Sequence, residues 1–116
     1  MDGGLSFFEL GVGDANRARQ FYGPLFGWEF VDQGNGASIE TPNIPGGLHG
    51  GDVGASPYVF FRVDDLEAAL TKVRDLGGEV SDGLSGDDSD TIARFGRFVI
   101  CRDDQGSPFG LHEPPR

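Results

Sequence analysis

Two stretches of this chain carry the same order of hydrophobic and polar positions. Each begins with the apolar and polar alternation typical of a strand, passes an Asp suited to capping a helix, and continues with apolar residues three or four apart. Each then stops at a glycine. The stretches are residues 7–27 and 58–78, and a shift of 51 positions aligns Phe8 with Val59, Asp14 with Asp65 and Gly27 with Gly78. The pattern predicts two copies of one supersecondary unit.

The first strand of the first copy is predicted at residues 5–12. Because side chains alternate between the two faces of a strand, Phe8 and Leu10 should face a helix, while Phe7 and Glu9 lie on the opposite face.

The helix that follows is expected to begin after Asp14, whose carboxylate can accept the free N–H groups of the first turn. Ala18 and Leu25 belong to its apolar stripe. Pro24 has no backbone N–H and crowds the preceding turn, so the regular helix should end near Tyr22. Further strands are expected at residues 28–31, 38–41 and 46–51.

The second copy repeats this arrangement more clearly. Val59 and Phe61 should face the second helix, while Tyr58, Phe60 and Arg62 lie on the opposite face. These three side chains therefore belong with Phe7 and Glu9 of the first copy.

The second helix is expected to be capped by Asp64 or Asp65, to carry an apolar stripe as far as Leu76, and to end at Gly77. Residues 82–94 contain four Asp and two Gly and predict an exposed loop. Further strands are expected from residue 79, at 98–102 and at 107–112.

A chain of 116 residues is long enough for one ordinary domain, so the two copies should share a core within one domain spanning residues 1–116. The first unit is expected at about residues 5–51 and the second at about 58–113. Short turns join the later strands, which predicts antiparallel pairing, and each helix should cover one face of its own sheet. The fold class is therefore α+β.

The charge and cysteine content narrow the functional classes. Nineteen acidic against nine basic residues give a formal net charge of −10, which repels nucleic-acid phosphates and anionic lipids. We therefore expect neither nucleic acid nor membrane as a partner. The single Cys101 lies in an apolar run and predicts a buried structural thiol. The first residues lack the pattern of a signal peptide, so a cytoplasmic location is expected.

The order of elements, with the segments FFELGVGD, FYGPLFGW, VFFRVDDLEAAL, GRFVICRDDQG and FGLHEP, resembles the vicinal oxygen chelate superfamily. This superfamily includes glyoxalase I, bleomycin resistance proteins and extradiol dioxygenases. The resemblance covers residues 5–114. It implies that the two βαβββ units form a curved, half-open eight-stranded barrel with the helices outside, that the concave face holds the site, and that the protein forms a homodimer.

The resemblance also implies where a metal would be bound. Family enzymes with a metal place His, Glu or Gln ligands on the first strand, at the end of the first unit, on the fifth strand and on the last strand. The matching positions here are Phe7, a place within residues 46–51, Tyr58 and Gly110; in the second of these, His49 is the only side chain suited to coordination. A divalent metal needs three or more protein ligands. The residues therefore predict a site without a metal or other cofactor.

The predicted concave face mixes aromatic surface with ionisable groups, as a small-molecule cavity does. Glu9 is a candidate general base, and His112 or His49 is a candidate proton shuttle. The face is predicted to consist of Phe7, Glu9, Tyr58, Phe60, Arg62, Pro108, Gly110 and His112, with His49 added from the resemblance.

Each of these candidates has a structural alternative. Glu9 would form an ion pair with Arg62 or Arg97, His112 would be a partly exposed residue at a strand edge, and His49 would lie in a loop. Tyr58 would serve as a wall of the cavity rather than as a proton donor.

Three functions remain open. The favoured one is a metal-free protein that binds a small organic molecule in an aromatic pocket. The alternative is a metal-independent isomerase or lyase that uses Glu9 with His112 or Tyr58 within about 3 Å of one substrate atom. The third is a structural or regulatory dimerisation module, in which the pocket would be filled. A metal-dependent glyoxalase-type lyase or dioxygenase is less favoured, because three of its four ligand positions are changed.

Overall fold

The computed structural model describes residues 2–34, 36–53, 57–81 and 89–115. Contacts divide them into an N-terminal unit, residues 7–59, and a C-terminal unit, which consists of residues 60–115 together with residues 2–6. The first residues thus lie with the C-terminal unit, although the predicted first unit began at residue 5.

The N-terminal unit contains one helix and a sheet with the strand order β2-β3-β4-β1. Strands β2, β3 and β4 pair antiparallel, whereas β4 and β1 are parallel. Its elements are β1 (Leu5–Gly11), α1 (Ala15–Phe26), β2 (Glu29–Asp32), β3 (Gly36–Glu40) and β4 (Gly46–His49). The predicted βαβββ order is therefore confirmed for this unit, and His49, for which a loop position was the structural alternative, is the last residue of a strand.

Helix α1 packs on the sheet face predicted for it. Phe8 and Leu10 of β1, and Val12 directly after the strand, pack against the cluster that contains buried Ala18. Tyr22 joins this cluster, whereas the expected core residue Leu25 is exposed.

The end of α1 differs from the prediction. The helix continues past Pro24 to Phe26, and Gly27 caps it with a φ of 76° while its N–H bonds the carbonyl of Gly23 at 2.7 Å. Pro24 lies only two residues before the end of the helix, so its missing N–H interrupts the hydrogen-bond ladder where little of it remains.

The C-terminal unit repeats the same topology, with the strand order β5-β8-β7-β6. Strands β5 and β8 are parallel, and the other pairs are antiparallel. Its elements are β5 (Tyr58–Arg62), α2 (Leu66–Asp75), β6 (Glu79–Val80), α3 (Ser89–Phe95), β7 (Arg97–Arg102) and β8 (Pro108–Glu113). The predicted internal repeat is thereby confirmed, with one additional helix.

Helix α2 begins at the predicted cap. The carboxylate of Asp65 accepts the N–H of Ala68 at 3.1 Å, which decides between the two Asp candidates. The helix ends at Asp75, and Leu76 is exposed rather than part of the apolar stripe. The core of this unit holds fully buried Leu66 and Cys101. Cys101 is thus the structural thiol expected, and burial raises its pKa while the charge of Arg74 opposes the rise.

The additional helix α3 corrects part of the predicted exposed loop. Residues 82–88 of that loop lie outside the described residues, but Ser89–Phe95 is helical. Asp90 lies in its first turn and Arg94 in its last, which suits the helix dipole. Gly96 follows with a φ of 85° and donates its N–H to the carbonyl of Ile92. These features mark a short capped helix that the Asp-rich composition concealed.

No helix in the described part of the chain is long and apolar enough to cross a membrane.

Candidate functional site

On the sheet face opposite α1, glycines of β1 and β4 lie beside the larger side chains of the neighbouring strand. In their parallel register Glu9 lies opposite Gly47, and Gly11 lies opposite His49. A Cβ at Gly47 would collide with Oε1 of Glu9, and one at Gly11 would lie 2.9 Å from Nε2 of His49. The two glycines therefore leave the space that the side chains of Glu9 and His49 occupy.

His49 lies between two carboxylates. Its Nδ1 is 2.6 Å from Oε2 of Glu9, and its Nε2 is 2.8 Å from Oδ2 of Asp52. Ionised carboxylates only accept hydrogen bonds, so when both carboxylates are ionised both ring nitrogens donate and the ring is an imidazolium. The side chains of Glu9 and His49 are 18% and 32% exposed, which leaves the pair accessible at its edge.

The surroundings shift the pKa of both members of this pair. Burial lowers the pKa of His49, but its hydrogen bonds to Glu9 and Asp52 and their negative charges outweigh burial and raise the pKa overall. Burial raises the pKa of Glu9, and the hydrogen bond and charge of His49 offset only part of that rise. A proton shared between an acid and a base with shifted pKa values is a common arrangement at functional sites.

Aromatic side chains border this cluster. The ring of Tyr58 stacks beside His49 with 6.3 Å between ring centroids. The ring of Phe7 points toward Gly47, at 3.2 Å from the position that a Cβ there would take. Tyr58 and Phe7 thus supply apolar surface next to the ionisable groups.

The C-terminal unit buries the second histidine. His112 is 5% exposed, stacks on Phe98 with 4.2 Å between ring centroids, and bonds Ser6 and the carbonyl of Phe95. Its Nε2 donates to that carbonyl at 2.7 Å and its Nδ1 lies 2.5 Å from the Ser6 hydroxyl, so a neutral imidazole fits. Burial lowers its pKa, the bond to Phe95 raises it in part, and the charge of Arg62 lowers it further. The predicted partly exposed His112 at a strand edge is therefore wrong.

The other predicted residues of this unit are packed or paired. Phe60 is 1% exposed and meets Phe98 edge to face, with 5.2 Å between centroids. A Cβ at Gly110 would collide with the ring of Phe60. Arg62 is half-exposed and lies 3.6 Å from the carboxylate of Asp64.

The ion pairs predicted for Glu9 are wrong. Arg62 pairs with Asp64, and Arg97 donates to Glu67 at 3.1 Å, whereas Glu9 bonds His49. The strand alternation correctly gave the face on which Glu9 lies, but it could not show which charged partner the topology brings to that face.

The positions that would hold a metal in the superfamily do not fit one here. Phe7 has no donor atom, and a side chain at Gly110 would displace the buried ring of Phe60. Both nitrogens of His49 are engaged by carboxylates. Within the residues that the structure describes, no group of three or more His, Cys, Asp or Glu side chains is arranged to hold a metal ion.

Asp52 is the member of the cluster that the sequence did not reveal. It lies three residues after His49 in a glycine-rich segment, where no strand or helix pattern fixes its direction. The sequence does contain a signal for the contact between Glu9 and His49, because Gly47-Leu48-His49 recurs as Gly110-Leu111-His112. Matching these tripeptides would have placed His49 on a strand beside β1.

Comparison with known proteins agrees with this architecture. The chain matches the model of the Glyoxalase/Bleomycin resistance protein/Dioxygenase superfamily over residues 4–111. A glyoxylase-like domain-containing protein of Didymella fabae is 31% identical over an alignment that covers 73% of this chain and 77% of the relative.

Solved structures give the same result. The crystal structure of methylmalonyl-CoA epimerase from Mycobacterium tuberculosis matches with a TM-score of 0.71 and 21% identity, covering 97% of this chain and 89% of that one. An extradiol ring-cleaving dioxygenase from B. fuscum matches with a TM-score of 0.73 and 19% identity; the match covers 99% of this chain but 33% of the dioxygenase. At these identities the likenesses show the fold alone.

The fold is thus that of the α+β proteins built from paired βαβββ units. The chain belongs to the glyoxalase/bleomycin resistance protein/dioxygenase superfamily, and the resemblance to the vicinal oxygen chelate proteins is confirmed.

Proposed function

We propose that this protein binds a small organic molecule, without a metal ion, at the sheet face that carries Glu9, His49 and Tyr58. The observation that carries the proposal is the hydrogen-bonded Glu9–His49 pair, partly exposed beside the ring of Tyr58. Small-molecule sites combine apolar walls with a few fixed polar groups, and this face supplies both.

The chemistry of the face indicates what such a ligand offers. Both ring nitrogens of His49 are engaged by carboxylates, so the polar atoms left near it for a ligand are carboxylate oxygens. A compound with a hydroxyl, amide or amine donor and a flat apolar part would use the carboxylate of Glu9 and the ring of Tyr58 together.

The absence of metal from the proposal rests on residue types. Phe7 and Gly110 stand at two of the superfamily's ligand positions and offer no donor atom. The phenol of Tyr58 at a third position is an uncommon ligand for the divalent ions that bind His and carboxylates.

A binding screen tests the proposal. Purified protein, treated with a chelator and then dialysed, is screened by thermal shift against small aromatic, hydroxylated and dicarbonyl compounds, and each hit is measured by calorimetry. We expect saturable binding at one site per chain, weakened at least tenfold in Glu9→Gln and in Tyr58→Ala. The control Asp75→Asn, on the exposed face of α2, should bind as the parent does.

Two results would reject the proposal. One is binding that neither Glu9→Gln nor Tyr58→Ala weakens. The other is stoichiometric Zn, Ni, Fe or Mn in protein purified without chelator, measured by metal analysis together with native mass spectrometry.

A second candidate function is a metal-independent isomerase or lyase. Glu9 at 2.6 Å from His49, with its pKa raised, favours this candidate, because a general base works best when its pKa approaches the working pH. The partner of Glu9 in this candidate is His49 rather than His112, which is buried and bonded to Ser6 and Phe95. Consumption of a bound compound, followed by NMR and abolished in Glu9→Gln, distinguishes the enzyme from the binder.

We also propose that the protein forms a homodimer in the cytoplasm, as the resemblance to the superfamily led us to expect. Light scattering on a size-exclusion column should give twice the chain mass of 12.4 kDa. A monomer at micromolar concentration would reject the dimer, and recovery in a membrane fraction would reject the location.

A further inference from the structure

Asp52 is held beside His49 by the backbone rather than by a chance surface contact. The segment after β4 folds back along the end of β1, where the N–H of Asp52 donates to the carbonyl of Val12 at 2.8 Å. The N–H of Gly51 donates to the carbonyl of Gly13, and the N–H of Val12 donates to the carbonyl of His49. Three backbone hydrogen bonds thus fix the Cα of Asp52 relative to β1 and β4.

The side chain of Asp52 occupies space left open for it. Its Oδ2 lies 2.5 Å from the position that a Cβ would take at Gly11, and the same Oδ2 lies 2.8 Å from Nε2 of His49. Any side chain at Gly11 would therefore push Asp52 or the ring of His49 away.

We infer that Asp52 is a positioning residue, which holds the ring of His49 so that its other nitrogen donates to Glu9. The role rests on the proposed function only in treating Glu9 and His49 as the groups that meet the ligand. An imidazole bonded at one nitrogen can still turn about its side-chain bonds, whereas one bonded at both nitrogens by carboxylates on different segments has a single orientation.

Two carboxylates and one aromatic ring face His49, and they come from three elements. Glu9 lies on β1, Asp52 lies in the segment after β4, and Tyr58 lies on β5. Two carboxylates close to one imidazole favour its protonated form. Removing Asp52 therefore frees the ring and also removes one of the two charges that keep it protonated.

A histidine titration tests this role without any ligand. The chain contains two histidines, so a protein labelled with ¹⁵N-histidine gives two sets of ring signals, which His49→Gln assigns. The signals are followed with pH in the parent, in Asp52→Asn and in the control Asp75→Asn, which removes the same charge from an exposed position on α2. Asp52→Ser serves as a second variant should the amide form a new hydrogen bond.

We expect the midpoint of His49 to fall in Asp52→Asn and in Asp52→Ser, with the midpoint of His112 unchanged and both midpoints unchanged in Asp75→Asn. The Nε2–H signal of His49 should accordingly be lost at a lower pH than in the parent. An unchanged midpoint of His49 in both Asp52 variants would overturn the inference, and so would an equal fall in the Asp75 control. Because no ligand is added, either result stands independently of the screen for bound compounds.

Discussion

The two units place the same tripeptide at equivalent points in their sheets and use it in opposite ways. Gly47-Leu48-His49 ends β4, and Gly110-Leu111-His112 lies in β8. In each unit this strand runs parallel to the unit's first strand, and the glycine pairs with Glu9 in one unit and with Phe60 in the other. Backbone geometry therefore does not distinguish the two histidines.

The difference arises from two neighbouring positions. Beside the glycine stands Glu9 in the N-terminal unit and Phe60 in the C-terminal unit. On the antiparallel neighbour, Gly36 lies opposite His49, whereas Phe98 lies opposite His112. One histidine is therefore partly exposed beside a carboxylate, and the other is buried against the ring of Phe98.

Equivalent histidines in the two units therefore have different roles. Buried His112 and Phe98 contribute packing to the C-terminal unit, whereas the same histidine position in the N-terminal unit holds a hydrogen bond to Glu9 at an accessible edge. Glu9 and Gly36 in one unit thus stand where the other unit has Phe60 and Phe98, while the strand pairing is the same.

The largest effect expected is from Phe98→Ala, which removes the ring that covers His112. We predict that the free energy of unfolding falls by about 3–5 kcal/mol, because a large buried side chain is replaced by a cavity. Denaturant unfolding measures the change. Phe21→Ala, at a position 63% exposed, is the control and should change the free energy of unfolding by less than about 0.5 kcal/mol. Equal effects of the two substitutions would contradict the assignment of Phe98 to the core.

The paired glycines should respond differently to alanine. Gly110→Ala forces a Cβ into the buried ring of Phe60 and should lower the free energy of unfolding by about 1–3 kcal/mol. Gly47→Ala meets the end of the Glu9 side chain, which can rotate away, and the tip of the Phe7 ring at 3.2 Å, so the loss should stay below about 1 kcal/mol. The second substitution should instead weaken ligand binding, because Glu9 leaves His49. A greater loss of stability in Gly47→Ala would reverse the comparison.

The pH dependence of stability should have opposite signs at the two histidines. His49 has a raised pKa, so its contribution is fully present below the ordinary value of 6.5 and is lost as pH rises through the folded pKa. His112 has a lowered pKa, so the unfolded chain binds a proton first as pH falls below 6.5, and the folded state loses stability there. Urea unfolding at several pH values should show that His49→Gln removes the decline above pH 6.5 and keeps the decline below it. Persistence of the upper decline would contradict the charged state of His49.

The smallest effect is predicted for Arg97→Ala. Its partner is the exposed Glu67, and an exposed ion pair contributes about 0–1 kcal/mol. The signals and midpoint of His49 should stay unchanged in this variant, since Glu9 does not pair with Arg97. A shift of the His49 midpoint would instead support the ion pair between Glu9 and Arg97 that the sequence suggested.

Much of the fold could be predicted because local patterns agreed with it. The alternation over β1 and β5, the caps at Asp14 and Asp65, and the glycine after each helix all point to one repeated unit. The end of α1 was predicted too early, near Tyr22, because proline disrupts the middle of a helix much more than its last turn. Helix α3 was missed because Asp-rich composition is typical of loops, although Gly96 marked a helix end.

The site could be predicted only in part. Strand alternation put Phe7 and Glu9 on one face, but a contact between Glu9 and His49 joins residues 40 positions apart and depends on how β4 pairs with β1. The position of Asp52 depends on the direction of the chain after β4, which no apolar and polar periodicity indicates. The burial of His112 depended on Phe98, whose place opposite it on β7 could be deduced only once the register of β7 and β8 was known.

The titration of the two histidines in the unmodified protein tests the central claim most directly. Each ring is followed by ¹⁵N NMR from acidic to alkaline pH, with His49→Gln used for assignment. The contacts predict that the pKa of His49 lies above its ordinary value of 6.5 and that the pKa of His112 lies below it, with the proton of the neutral His112 ring on Nε2. Coincident midpoints, or His112 titrating above His49, would contradict the division between the charged and the buried histidine.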